Sequence, residues 1–288
     1  MHSTRASGAA VDDTDTLPLV VVEPRRGWRL IDWRELAGYS DLFAFLTWRN
    51  IKVRYAQSAI GVGWAVIQPL ASMLVYTIVF GKLVGVESEG APYAVFAFTA
   101  LVPWTYFSNA LTQATSSLTR NANILSKVYF PRLIIPLSEV AARLVDFAIA
   151  FVLLIGLLLA FGLVPNWNAL ALPLLIVIMT ASAAGLGLWL TALAIQYRDV
   201  NHAANFFVRL LIYAAPVIYP VTLVPEHLRL IYALNPMVGV IEGFRAGLLG
   251  TRPMPWDYIA LGATVAAILA VAGLFYFNRK EHVFADVA

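Results

Sequence analysis

Long uncharged runs alternate along this chain with short charged clusters. The runs are Tyr55–Gly81, Gly90–Thr119, Phe147–Gln196, Leu210–Pro225 and Tyr258–Asn278. A hydrocarbon layer about 30 Å thick is crossed by roughly 20 helical residues, so four of these runs are each long enough to hold at least one span, while Leu210–Pro225 is too short alone and needs the residues before it, from Ala203. The third run is too long for a single crossing and must turn back at Gly162–Asn168, where Pro165-Asn166-Trp167-Asn168 interrupts it. The pattern therefore predicts an all-α polytopic membrane protein with six transmembrane helices. They are placed at about 60–80, 92–114, 137–161, 169–195, 203–219 and 257–278.

Charge placement orients these spans. Eight Lys and Arg precede the first one, at Arg5, Arg25, Arg26, Arg29, Arg34, Arg49, Lys52 and Arg54. Arg120, Lys127 and Arg132 follow the second, Arg198 follows the fourth, and Arg279 and Lys280 follow the sixth. The alternate gaps hold only Lys82, then none, then Arg229, Arg245 and Arg252. Cationic loops stay on the cytoplasmic side, so both termini are expected there. Composition agrees: 60% of residues are hydrophobic and 13% charged, against about a quarter charged in soluble proteins. The net charge of +3 is small and lies beside the spans, which argues against nucleic-acid binding. With no cysteine, disulfides, thiolate catalysis and cysteine-ligated zinc are excluded. The early apolar run Leu17–Val22 is too short for a cleaved signal and follows Asp12-Asp13-Thr14-Asp15, so the first span is expected to act as the insertion signal.

Residues 1–27 read as a mobile cytoplasmic tail, and 28–288 as one transmembrane domain. Residues 41–56 predict an interfacial helix with two apolar sides, one carrying Ala44, Trp48, Ile51 and Tyr55 and the other Leu42, Leu46 and Val53. Arg49, Lys52 and Arg54 lie between them. Gln68-Pro69 predicts a kink in the first span. In the second, Tyr93, Phe96, Trp104 and Phe107 recur at helical spacing. Such a stripe either packs against a neighbour or offers flat faces to sugar rings. Between spans two and three, a short helix at 121–131 is capped by Asn121 or Asn123 and ended by Pro131. Its apolar residues Ile124, Leu125, Val128, Tyr129 and Phe130 imply a covering partner. Glu139, Arg143 and Asp146 open the third span on one face, where Glu139 to Arg143 is a favourable i,i+4 pair at the cytoplasmic rim. Gly185-Leu186-Gly187 allows a close helix approach in span four. In span five, Phe206, Arg209 and Tyr213 share a face, with Arg209 directed to headgroups or to an aqueous path. The segment 221–255 is apolar yet cut by Pro225, Asn235-Pro236, Gly250, Pro253 and Pro255. It predicts re-entrant half-helices dipping back from the outer face, with Glu242 and Arg245 paired in the turn.

Several chemistries are missing. No G-x-x-x-x-G-K-[ST] phosphate loop is present: Gly81-Lys82 is followed by Leu83. The four histidines are scattered and suggest no metal site, and no nucleophile–base arrangement survives the topology. A secondary transporter would show midplane charges or internal repeats. A membrane-embedded glycan-processing enzyme would need paired acidic or histidine groups at one depth. Neither pattern is evident, so energy for active transport is expected from another chain.

The strings Leu46-Thr47-Trp48-Arg49-Asn50-Ile51-Lys52-Val53-Arg54-Tyr55, Gly61-Val62-Gly63-Trp64, Gln68-Pro69-Leu70 and Val102-Pro103-Trp104-Thr105-Tyr106-Phe107 stand in this order. Asn121-Ala122-Asn123-Ile124-Leu125-Ser126-Lys127-Val128-Tyr129-Phe130-Pro131-Arg132, Tyr197-Arg198-Asp199 and Asn235-Pro236 follow them. Together they resemble the permease subunit of polysaccharide exporters in the type-2 ABC transporter family, O-antigen export permeases in particular, from about Gly27 to Glu281. The resemblance implies a homodimer that binds two copies of a separate ABC ATPase, which holds the ATP and Mg. This chain would bind no cofactor and would be no enzyme on its own. It implies a coupling helix formed by Asn123, Lys127, Val128, Tyr129, Phe130, Pro131 and Arg132. The cargo would be polysaccharide on an undecaprenyl diphosphate carrier, whose diphosphate would meet Arg49, Lys52 and Arg54. Tyr93, Phe96, Trp104, Phe107 and Tyr213 would be channel aromatics. Capsular polysaccharide, teichoic acid, or a drug or small lipid are alternative cargoes.

Overall fold

The computed structural model describes residues 37–56, 61, 63–122, 130–197 and 199–281. Among them every regular element is helical. Helix α1 spans Ser40–Tyr55. Helix α2 (Gly63–Tyr76) continues as a π-helix over Thr77–Val84. Helices α3 (Tyr93–Arg120), α4 (Ile134–Ala160), α5 (Leu172–Gln196), α6 (Asp199–Leu211), α7 (Glu226–Tyr232), α8 (Pro236–Leu248) and α9 (Trp256–Lys280) follow. A 3₁₀ turn, Trp167–Ala171, leads into α5.

Five of these helical stretches are long and apolar enough to cross a membrane: Gly63–Val84, Tyr93–Arg120, Ile134–Ala160, Trp167–Gln196 and Trp256–Lys280. The fifth expected span, 203–219, differs. Its helix, α6, ends at Leu211, and residues 212–219 continue as turns and bends. Pro216 explains this, because it lacks the N–H that would reach back to Ile212 and it disfavours helical geometry at Ala215. The predicted reversal between spans three and four is present. Gly162 takes a left-handed φ of +72°, and the Asn166 side chain accepts from the Asn168 N–H at 2.9 Å.

Helix α3 is the hub, with 78% of its apolar window covered by the rest of the chain; for α2 the figure is 6%. Helices α5 and α9 cross in backbone contact. A Cβ added at Gly273 would lie 2.0 Å from the Gly185 carbonyl oxygen, and one at Gly185 2.5 Å from the Ala270 backbone nitrogen. Small residues at such a crossing permit the close approach that stabilises helix pairs in lipid. The end of the bundle carrying α1 is called proximal below, and the end carrying α7 and α8 distal.

Candidate functional site

At the proximal end, α1 is stitched to the bundle by polar side chains. Arg49 Nη2 donates to Asn121 Oδ1 at 3.0 Å, and Asn50 Nδ2 to Ser138 Oγ at 3.2 Å. Asp146 then gathers three donors: Arg54, the Tyr55 hydroxyl, and Arg143 Nη1 at 3.0 Å. Asp146 is twelve residues into α4, about 18 Å from its start. Pairing at that depth offsets the desolvation of its carboxylate. Burial first, and then the hydrogen bond to Asp146, push the Tyr55 phenol up to about 12.

The expected Glu139–Arg143 pair is not the one formed. Glu139 Oε1 instead accepts from Arg120 Nη2 at 3.2 Å, while Arg143 turns to Asp146. The reason is tertiary: α3 ends beside the first turns of α4 and presents a cation to Glu139. Of the three expected diphosphate ligands, Arg49 and Arg54 are thus engaged within the chain, and Lys52 is exposed. Arg54, Tyr55, Trp64, Gln68, Asn109 and Asp146 border a cavity of about 200 Å³ between α1, α2, α3 and α4.

Asn123, Lys127, Val128 and Tyr129, the greater part of the expected coupling helix, lie outside the described residues. The end of that segment is described. Phe130 is buried with Leu46, Leu118, Ile134, Leu188 and Phe277, so its ring serves as a plug and not as a surface for a partner. Arg132 Nη1 donates to the Glu281 carbonyl at 2.8 Å. Pro131 is half-buried between them.

The aromatic stripe of α3 is likewise turned inward. Tyr93, Phe96, Trp104 and Phe107 are all buried. Phe96 receives the Arg245 guanidinium at 3.6 Å from its ring centre, and Trp104 and Phe107 border a largely apolar, partly open cavity of about 440 Å³. Within this chain the four rings therefore serve the core, and Trp104 and Phe107 keep an edge on that cavity. Tyr213, by contrast, is 61% exposed.

Sequence reasoning gave too little weight to α6 as a whole. Only Ala204 and Val208 are buried. His202, Asn205 and Arg209 form an exposed polar stripe at spacings of three and four, bordered by exposed Phe206 and Tyr213. The spacing was visible in the sequence; the absence of covering from the rest of the chain was not.

At the distal end, α8 is buried along its whole length. Glu242 and Arg245 pair at 2.7 Å, within this helix rather than at a turn, and are 4% and 2% exposed. The Glu89 carboxyl, beside Arg252 at 3.2 Å, is pushed above its ordinary range, first by burial and next by the charge of Glu242, against the opposing pull of Arg252 and Arg245. Among the described residues, no three His, Asp or Glu converge as metal ligands.

Known proteins share this sequence over most of its length. The O-antigen export system permease protein RfbA of Myxococcus xanthus is 31% identical over 251 residues, covering 86% of this chain and 96% of the relative. The protein of the same name from Klebsiella pneumoniae is 29% identical over 248 residues, 86% of this chain and 95% of its own. The polysialic acid transport protein KpsM of Escherichia coli is 21% identical over 241 residues, 81% and 91% of the two chains. Residues 41–249, from α1 to the end of α8, match the ABC-2 type transporter family. A multi-pass helical bundle matched over most of its length is thus identified: the chain belongs to the ABC-2 type transporter membrane family.

Proposed function

We propose that this chain is the permease half of an ATP-driven exporter that moves undecaprenyl-diphosphate-linked polysaccharide of the O-antigen type across the inner membrane. The observation that carries this reading is the uncovered stripe on α6. His202, Asn205 and Arg209 lie on a helix flanked by apolar spans; Asn205 Nδ2 donates to the Asn201 carbonyl at 2.7 Å, and lipid would offer nothing to its amide oxygen or to the imidazole and guanidinium beside it. Side-chain amide, imidazole and guanidinium groups suit sugar hydroxyls, and Phe206 and Tyr213 offer flat apolar faces to sugar rings. The relatives named for O-antigen export, matched along most of both chains, favour the same cargo.

A path along α6 needs a second wall. Helix α2 is almost uncovered by its own chain, so a second copy packed across α2 and α6 completes it. In this reading both termini are cytoplasmic and the proximal end faces the cytoplasm. Residues 199–219 make the fifth of six crossings, with the turn segment lengthening α6. Two ATPase subunits, each binding ATP and Mg, grip the coupling segment 123–129, beyond which Phe130 and Arg132 are fixed in the bundle. Among the three expected diphosphate ligands, Lys52 stays exposed and would meet the carrier diphosphate, as Arg49 and Arg54 hold α1 in place. Capsular polysaccharide is the second reading, favoured by the similarity to the polysialic acid transport protein.

The test makes the stripe apolar. In N205L/R209L, surface polysaccharide should fall at least tenfold while the amount of chain in the membrane is unchanged. Full export by this variant would refute the path along α6.

A further inference from the structure

Residues 212–219 follow α6 as irregular backbone, and irregular backbone among membrane spans needs partners for its carbonyls. Here side chains supply them. The Tyr219 hydroxyl donates to the Tyr213 carbonyl at 2.6 Å, and Asn235 Nδ2 to Ala214 at 2.9 Å. Arg245 Nη2 donates to Val217 at 3.1 Å, and its Nη1 approaches the Tyr219 carbonyl at 3.5 Å. Between those two, the Tyr93 hydroxyl donates to Ile218 at 2.7 Å. Tyr219 belongs to the stretch itself; the other donors come from α3, from α8 and from the junction before α8.

The two ends of this stretch are held very differently. Ala215, Pro216, Val217 and Ile218 are buried, whereas α6 itself covers only Ala204 and Val208. Arg245 is oriented by Glu242 on one side and by the Phe96 ring on the other. Its guanidinium can therefore address two carbonyls at once, a planar fork that a lysine ammonium does not reproduce.

We propose that Tyr93, Asn235 and Arg245 are positioning residues that anchor the distal end of α6, so that the helix moves about residues 212–219 with its proximal half as the swinging arm. On this view the re-entrant helix α8 fixes one end of the wall of the path, and motion driven from the cytoplasm is taken up near Asn205. The inference rests on the proposal that α6 lines the path, and the experiment separates the two.

The chain has no cysteine, so single thiols can be placed without a background. Cysteine replaces Asn205, Tyr213 or, as a control on the exposed turn after α4, Val164. Each full-length protein, in lipid nanodiscs, is labelled with a hydrophilic charged maleimide. Y93F removes one donor with little change in volume. R245K keeps a cation beside Glu242 but loses the two-carbonyl fork. Both should raise the labelling rate at position 213 at least threefold and leave position 164 within twofold. If Arg245 serves only as the partner of Glu242, R245K will label as the parent does, and that result overturns the anchor. Unchanged labelling at 213 in Y93F overturns it as well, whatever R245K shows. A thiol at position 205 that reacts no faster than one placed as a further control at Val152, exposed on the membrane-length helix α4, would instead overturn the path reading and leave the anchor result standing.

Discussion

Helices α5 and α9 meet so closely that one methyl group should separate them. In G273A the new Cβ would sit 2.0 Å from the Gly185 carbonyl oxygen and 2.8 Å from its carbon. Carbon–oxygen contacts between packed helices settle at about 3.3–3.6 Å, so the helices must part by roughly 1.3 Å at the crossing. The atoms struck are backbone, and no side chain can rotate away. Overpacking of this kind costs about 1–3 kcal/mol when neighbours can yield, and the rigid contact puts Gly273 at the upper end. For a chain of this size about 3 kcal/mol corresponds to a fall of roughly 6–12 °C in melting temperature. Gly156 is the matched control, a glycine inside α4 where an added Cβ would meet nothing within 4 Å. There alanine removes backbone freedom from the unfolded chain, and G156A should stabilise by about 0.5–1 kcal/mol. The assay is the apparent melting temperature of each variant in one detergent at one scan rate, followed by loss of the monodisperse peak. Opposite signs are expected from the same substitution. A G273A protein that melts within 2 °C of the parent, a margin below one kcal/mol by the same conversion, would refute the backbone crossing.

Other consequences are as direct. D146N should leave Arg54 and Arg143 without their carboxylate and free α1 from α4; proteolytic cleavage between residues 56 and 63 should quicken and export should fall, and unchanged cleavage would count against the stitch. Raised in the folded state, the Tyr55 phenol binds a proton that the unfolded chain loses near pH 10. Its contribution is complete below that pH and is lost as pH rises toward about 12. Melting temperature should therefore fall less steeply between pH 9 and 11 in Y55F than in the parent, and equal slopes would contradict the cause given. F130A should empty a buried socket at a cost of about 3–5 kcal/mol, whereas K127A/Y129A should leave the melting temperature alone while reducing ATPase assembly with the chain; intact assembly in K127A/Y129A would remove the coupling role.

Much of this molecule is legible in the order of its residues. Uncharged runs of span length have to become helices because lipid offers no partner to a backbone N–H or C=O, and five of the six expected spans are such helices. Gly185 announced a close crossing, and the prolines of 221–255 announced broken helices. What the order could not reveal is which side of each helix its own chain would cover. The aromatic stripe of α3 and the polar stripe of α6 have equally clear periodicity, yet one is core and the other is bare. That difference arises because α4, α5 and α8 converge on α3, while α6 buries only Ala204 and Val208. Ion pairing shows the same limit. Spacing favoured Glu139 with Arg143, but the end of α3 brought Arg120 to Glu139, and α1 brought Arg54 to the Asp146 that Arg143 also holds. Local spacing determines which partners a helix can offer itself. Only the packed bundle decides which cation stands nearest in space, and in a medium of low polarity the nearest one prevails.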